Sequence, residues 1–139
     1  MSIEELKRQF IVDEDVLKSR LEPVITKALH HCRIDKTGQV LITNPKLSAK
    51  DRVLLVLVAR VVAAQLDTGI RPDVTVAEIC NYTGLPSNQV RARGKDVIQG
   101  KFAEGRGPGV YRAVPHRVEA FLDALVDTDI REPSPRVKG

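Results

Sequence analysis

A chain of 139 residues with 42% hydrophobic residues is long enough to form one domain around its own core. With five aromatic residues and no Trp, aliphatic side chains must fill that core, and binding of single-stranded nucleic acid by base stacking is disfavoured. The net charge of +4 is unevenly distributed, because residues 85–117 contain seven Lys or Arg against two acidic residues. The rest of the chain is therefore close to neutral.

The cysteines and histidines favour neither a metal site nor an active site. Cys32 and Cys80 are the only cysteines, so we expect free thiols in a reducing cytoplasm, with a single bridge between them as the alternative. The histidines at positions 30, 31 and 116 have no nucleophile or carboxylate at a catalytic spacing, and no phosphate-loop motif is present. We expect a protein that is not an enzyme and that binds no metal or cofactor.

The hydropathy pattern favours a cytoplasmic protein that does not enter a membrane. The longest apolar run, Val53 to Ala64, is interrupted by Arg60 and is too short to cross a bilayer. The segment from Met1 to Phe10 is charged, unlike a secretion signal.

Residues 1–46 are expected to form a helical segment and then a β-hairpin. After a short helix over Ser2–Gln9, a helical stripe of apolar residues is formed by Val16, Leu17, Leu21, Val24, Ile25, Ala28 and Leu29. Pro23 either kinks this helix or lies in the first turn of a second one. Residues 32–35 and 39–42 predict the hairpin, because Gly38 can adopt the positive φ of a short loop. The stripe is either ordinary core or the seam of a homodimer.

Two capped helices are expected next. Ser48 is the predicted N-cap of a helix that is apolar on nearly every side, and we place this helix at the centre of the core. Thr75 and Glu78 have the spacing of a capping box, which predicts a helix over 75–82. Gly84 can adopt the left-handed conformation that ends it.

The following helix is expected to begin with Ser87 as its cap and to stop at Gly100. Its apolar side contains Val90, Val97 and Ile98, and Gly94 on that side would let a neighbouring helix approach closely. Its opposite side is polar and consists of Asn88, Ala92, Lys95 and Gln99, flanked by Gln89 and Arg91.

A glycine-tipped hairpin and a last helix complete the expected elements. Residues 101–104 and 110–113 predict two short strands, with Tyr111 packing within the hairpin rather than stacking on bases. The last helix begins at His116 or Arg117, and its apolar face contains Val118, Phe121, Leu122 and Leu125. Residues 128–139 are expected to be a disordered tail.

Residues 48–125 resemble a winged helix-turn-helix domain. The resemblance is carried by the capped helix 75–80, the turn 84–87, the helix from Val90 to Ile98, and the strand pair 100–102 and 110–112. It implies an α+β fold, mostly α with small β-hairpins. It also implies a domain over 47–127, with the extension 1–46 before it and the tail 128–139 after it. In such domains the second helix enters the DNA major groove, and the hairpin, or wing, contacts the backbone or minor groove.

The residue types on the helix and hairpin agree with that expectation. Short polar side chains can enter a major groove, where Asn and Gln pair with adenine and Arg with guanine. The helix start can hold a phosphate, and hairpin cations suit the backbone or a narrow minor groove. The predicted DNA-binding residues are Ser87, Asn88, Gln89, Arg91, Ala92, Lys95, Gln99, Lys101, Arg106 and Arg112. Asp96 is a mildly repulsive group near the same face.

These sequence patterns are compatible with two functions. The first is a transcriptional regulator that binds double-stranded DNA, as a homodimer whose recognition helices meet successive grooves. The second is a winged-helix protein–protein interaction module of a larger assembly. In that case the basic face is incidental or meets an acidic partner.

Overall fold

The computed structural model describes residues 2–3 and 15–131. Helices α1 (Asp15–Ser19) and α2 (Leu21–Ala28) precede a hairpin of strands β1 (Cys32–Ile34) and β2 (Val40–Ile42). The long helix α3 (Ala49–Leu66) leads to strand β3 (Val74–Thr75) and helices α4 (Val76–Thr83) and α5 (Ser87–Gln99). Strands β4 (Ala103–Gly105) and β5 (Val110–Ala113), a 3-10 turn (Pro115–Arg117) and helix α6 (Val118–Arg131) follow. The fold is α+β, as expected, with two small antiparallel sheets.

Helix α3 forms the centre of the core, as its sequence predicts. The hydroxyl of Ser48 accepts a hydrogen bond from the backbone N–H of Asp51 at 3.1 Å, which confirms the predicted N-cap. Every residue from Val53 to Ala63 is buried, because α4, α5, β1, β2 and β5 all pack against this helix. The only charged residue in that buried stretch is Arg60.

Residues 17–42 belong to the same core. Pro23 is the third residue of α2, so the second of the two expected arrangements is the correct one. Leu17 and Val24 are buried, and α2 packs against α6 and α3. Leu21, Ile25 and Ala28 of the apolar stripe pack against the core, whereas Leu29 is 48% exposed. The stripe therefore contributes to the core, and the homodimer stays a prediction. Apart from Ser2 and Ile3, the expected helix over 2–9 lies outside the described residues.

The first hairpin is confirmed, and the two cysteines are not bridged. Residues 32–34 pair with 40–42 in antiparallel register, and Gly38 has a φ of +93°. Cys32 is buried and Cys80 half-buried, and both are free thiols, so the alternative of a disulfide between them is wrong.

The last helix runs farther than the sequence indicates. A 3-10 turn comes before it, and Val118, Phe121, Leu122 and Leu125 are all buried, as predicted. The helix continues to Arg131, so the first four residues of the expected tail are helical. No glycine or proline interrupts the chain before Pro133, which explains the extension. Residues 132–139 lie beyond the described part of the chain.

The second sheet contains a strand that sequence patterns do not indicate. The strand order of this sheet is β3–β5–β4, with Val74 opposite Tyr111 and Ala103 opposite Ala113. Strand β3 ends at Thr75, the residue that caps α4, so the sheet is joined directly to that helix. Among the helices described, none combines the length and hydropathy needed to cross a membrane.

Candidate nucleic-acid interface

The start of α4 fixes the orientation of the helix pair. The hydroxyl of Thr75 accepts a hydrogen bond from the backbone N–H of Glu78 at 3.2 Å, and the Glu78 carboxylate accepts one from the backbone N–H of Thr75 at 3.0 Å. This confirms the capping box. Gly84 then has a φ of +76° and ends α4 in the left-handed conformation that was expected.

Helix α5 begins one residue earlier than its expected cap implies. Pro86 occupies the N-cap position, and its carbonyl accepts hydrogen bonds from the backbone N–H groups of Gln89 and Val90, each at 3.0 Å. Ser87 is the first helical residue, and no side chain caps the helix. The hydroxyl of Ser87 and the first backbone N–H groups therefore lie at an open helix terminus, where anions bind favourably.

The inner side of α5 packs against the second hairpin. Val90, Gly94 and Val97 are buried. A Cβ on Gly94 would lie 3.0 Å from Cζ and 3.2 Å from Oη of Tyr111, so the close neighbour of Gly94 is an aromatic ring. The long helix α3 also packs against α5, as the expectation of a neighbouring helix requires, but the atoms nearest to Gly94 belong to this ring. The half-buried Tyr111 packs against the core, as predicted.

The outer side of α5 is open and polar. Its exposed residues are Asn88, Arg91, Ala92, Lys95 and Gln99, and Gln89 is half-buried beside them. A Cβ on Gly109 would lie 3.9 Å from both terminal nitrogen atoms of Arg91, so this guanidinium lies beside the loop between β4 and β5. The outer side of α5 therefore adjoins that loop. We call these two parts, together with the exposed Lys101 just after the end of α5, the α5–hairpin face.

The acidic residues around this face are paired with arginines. Ion pairs join Asp73 to Arg112 at 2.6 Å, Glu78 to Arg60 at 2.9 Å, Asp96 to Arg93 at 3.0 Å and Glu104 to Arg106 at 3.3 Å. In the Asp96 pair the Arg93 Nε atom is close to the carboxylate but not aligned for a hydrogen bond. Asp96, expected to repel an anion, is thus largely neutralised.

Three cations on the α5–hairpin face keep their charge available. Arg91, Lys95 and Lys101 are exposed, and no carboxylate of the described residues pairs with them. Arg106 is also exposed, but its 3.3 Å contact with Glu104 competes with any other anion. An exposed pair of this length is weak, so a phosphate can displace it.

Lys101 adopts a backbone conformation that usually requires glycine. Its φ is +69°, and no other non-glycine residue in the described part of the chain has a positive φ. The backbone N–H groups of Lys101 and Phe102 donate to the carbonyls of Ile98 and Val97, each at 3.0 Å, which is the Schellman arrangement at a helix end. Gly100 has an ordinary φ of −78°, so the residue that turns the chain is Lys101 and not the expected Gly100.

Arg112 does not lie free on the hairpin as the sequence suggests. Its Nε atom donates to Asp73 at 2.6 Å, and its side chain is 23% exposed. This ion pair ties β5 to the loop before β3. Arg112 therefore holds the sheet in place, and the expectation that it contacts the DNA backbone loses its geometric basis.

Arg60 is a structural residue that sequence reasoning missed. Its guanidinium is buried and donates to the Glu78 carboxylate and to the backbone carbonyls of Gly38, Arg71 and Asp73. Burial alone would raise the pKa of Glu78, but hydrogen bonds from Thr75 and Arg60 outweigh it and lower that pKa. One signal was available, since Arg60 is a lone charge inside an apolar run.

Metal ligands and relatives of known function were both sought. Within residues 2–3 and 15–131, no three His, Cys, Asp or Glu side chains converge as metal ligands. Comparisons with protein-family models, curated proteins and solved structures found no match for this chain.

Proposed function

We propose that the chain is a winged helix-turn-helix protein that binds double-stranded DNA and acts in transcriptional regulation. In this proposal α5 enters the major groove and the β4–β5 hairpin is the wing. The main support is the continuity of the α5–hairpin face, where Arg91 lies beside the hairpin loop and nearby carboxylates have arginine partners. A cationic surface without competing acids attracts a polyanion.

The outer side of α5 has suitable chemistry for base edges. Asn88 and Gln99 can donate to and accept from adenine, and Arg91 can donate two parallel hydrogen bonds to guanine. Ala92, which is exposed at the middle of this side, lets the helix backbone come close to the groove floor. The open N-terminus of α5 at Ser87 adds donors for a phosphate.

The hairpin side supplies contacts that position the protein without reading sequence. Lys101 and Arg106 are exposed at the two ends of strand β4 and are suited to phosphates. Arg112 is left out of this set because Asp73 holds it. Four cations then meet phosphates or bases: Arg91, Lys95, Lys101 and Arg106.

Salt dependence tests the proposal directly. Binding to a labelled random-sequence duplex is measured over a series of salt concentrations. If each of the four cations neutralises one phosphate, log affinity falls against log salt with a slope of about −3.6, that is −0.9 per contact. A wild-type protein that does not bind duplex even at low salt would contradict the proposal and favour the interaction-module alternative.

A double charge reversal assigns the binding to the face. We expect Arg91→Glu with Lys95→Glu to abolish duplex binding while the melting temperature stays unchanged, because both side chains are exposed and lack carboxylate partners among the described residues. The matched control is Lys18→Glu with Lys36→Glu, which changes net charge equally at exposed lysines elsewhere. Equal losses in the two variants would show that overall charge, and not this face, attracts DNA.

A further inference from the structure

A separate apolar cavity lies between α2, β1 and the C-terminal half of α3. Its volume is about 190 Å³. Cys32, Ala59 and Ala63 form its buried floor, while Leu29 and Leu66 stand at its mouth with 48% and 62% of their surface exposed. None of the residues in the α5–hairpin face lines it.

The cavity exists because small side chains meet at this junction. Ala28, Cys32, Ala59 and Ala63 occupy positions where α2, β1 and α3 approach one another. Larger side chains at these positions would fill the space, so the pocket depends on their small size. Burial raises the pKa of the Cys32 thiol to about 11, which leaves the floor uncharged at neutral pH.

One charged side chain lines the cavity. The Nη1 atom of Arg33 donates to the backbone carbonyls of Leu29 and Cys32, which fixes the guanidinium at the cavity wall. The Nε and Nη2 atoms take no part in those two bonds. A guanidinium with two nitrogen atoms available is well suited to a carboxylate.

From this arrangement we propose that the cavity binds a small amphiphilic carboxylic acid, with its apolar body on the alanine floor and its carboxylate at Arg33. An apolar cavity of about 150 Å³ holds a benzene molecule, so the body contains about six to eight carbon atoms. A second copy of the chain fits less well, because a stable dimer buries about 800 Å² on each partner. The large exposed apolar residues close to this cavity in the structure are Leu29, Leu66 and the nearby Leu41. The inference does not depend on DNA binding.

Titration of the full chain with octanoate tests the site. In NMR spectra, we expect the backbone amide chemical shifts of residues around Ala28 and Ala63 to change saturably as octanoate is added. The dissociation constant should be about 0.1–1 mM. Octanol, which lacks the charge, should bind about tenfold more weakly, and acetate, which lacks the apolar body, should not bind.

Variants locate the site independently. Ala28→Leu and Ala63→Leu each fill the cavity and should abolish octanoate binding, whereas Ala120→Leu, at an exposed helical alanine, should not. Arg33→Gln should remove the preference for octanoate over octanol. Ala28 is only partly buried, so its variant should stay folded if Ala63→Leu does not.

Three results would overturn the inference. The first is that octanoate does not bind saturably. The second is that the folded Ala28→Leu variant binds octanoate as well as wild type does. The third is that the protein self-associates, that Ala28→Leu alters the oligomer, and that octanoate has no effect.

Discussion

At Lys101 the chain has a charged residue where glycine would be more stable. Glycine is favoured at the left-handed position of a helix end, because a Cβ there is strained by about 1 kcal/mol. The chain instead has its glycine one position earlier, at Gly100, where φ is ordinary. A lysine in the strained position gains nothing within the described fold, since no carboxylate there pairs with it. Its charge is directed to solvent on the α5–hairpin face.

We expect Lys101→Gly to stabilise the fold and weaken DNA binding. Relief of the strain should raise the free energy of unfolding by about 1 kcal/mol and the melting temperature by about 3–5 °C. Loss of one phosphate contact should reduce duplex affinity by about five- to tenfold at moderate salt. Thermal melting and duplex titration measure the two effects separately.

Lys101→Ala is the control, because it removes the charge and keeps the Cβ. It should lose the same DNA affinity without any gain in stability. If the Lys101→Gly and Lys101→Ala variants have equal melting temperatures, the backbone at this position is not strained. If neither loses affinity, Lys101 does not contact DNA.

In the packing of secondary-structure elements, the contact between α5 and the β4–β5 hairpin depends on Gly94. Alanine there improves helix propensity by about 1 kcal/mol, but its Cβ would meet the Tyr111 ring at 3.0 Å. The ring must then move by a few tenths of an ångström, although it packs against the core. We expect Gly94→Ala to lower the free energy of unfolding by about 1–2 kcal/mol, measured by chemical denaturation.

A double-mutant cycle separates this clash from other effects. Tyr111→Leu removes the distal ring atoms, so Gly94→Ala in that background should be neutral or stabilising. An equal cost of Gly94→Ala in both backgrounds would mean that the ring is not the obstacle.

Where α2 packs on α6, a network of ion pairs makes the stability of the fold depend on pH. Hydrogen bonds from Arg20 and then from Lys27 lower the pKa of Glu119 to about 2 from 4.5. The stabilisation is therefore complete above pH 4.5 and is lost as pH falls toward 2. Solvent screens this partly exposed network, so we expect Glu119→Gln to cost about 1 kcal/mol at neutral pH.

The pH dependence of that variant is the sharper test. Its difference from wild type should shrink between pH 5 and pH 2, because protonation makes Glu119 of the wild type neutral, as Gln already is in the variant. Glu22→Gln, at an exposed carboxylate of α2, should show no such difference. A Glu119→Gln difference that is constant with pH would assign the effect to packing.

Over the whole molecule, Arg60 connects parts that lie far apart in the chain. It joins the first hairpin at Gly38, the loop at Arg71 and Asp73, and the capping box at Glu78. We expect Arg60→Met to lower the free energy of unfolding by about 3 kcal/mol, because a carboxylate and several carbonyls lose their donor. Arg52→Met, which removes one bond to the Thr83 carbonyl, should cost much less. Equal costs would show that the network does not couple these parts.

Local signals predicted much of this fold, and distant contacts set the rest. Ser48, Thr75, Glu78 and Gly84 act within a few residues of themselves, so their caps and turn could be predicted. The two-residue strand β3 is defined only by pairing with Val110 and Tyr111. Likewise the partner of Arg112 lies 39 residues away, at Asp73. No short sequence window contains such information, so the ion pair that holds Arg112 could not be predicted.

Strand β3 has a consequence for any bound duplex. It pairs with β5 and ends at the residue that caps α4, and the backbone N–H of Val76 donates to the Gly109 carbonyl at 2.9 Å. The hairpin therefore cannot tilt away from α4, against which α5 packs, unless these bonds break. Under the proposed function, the distance between α5 and the β4–β5 hairpin is therefore fixed before DNA binds, and the DNA must adjust its groove width to match. Stiff and pliable base steps would then differ in affinity even where no side chain touches a base.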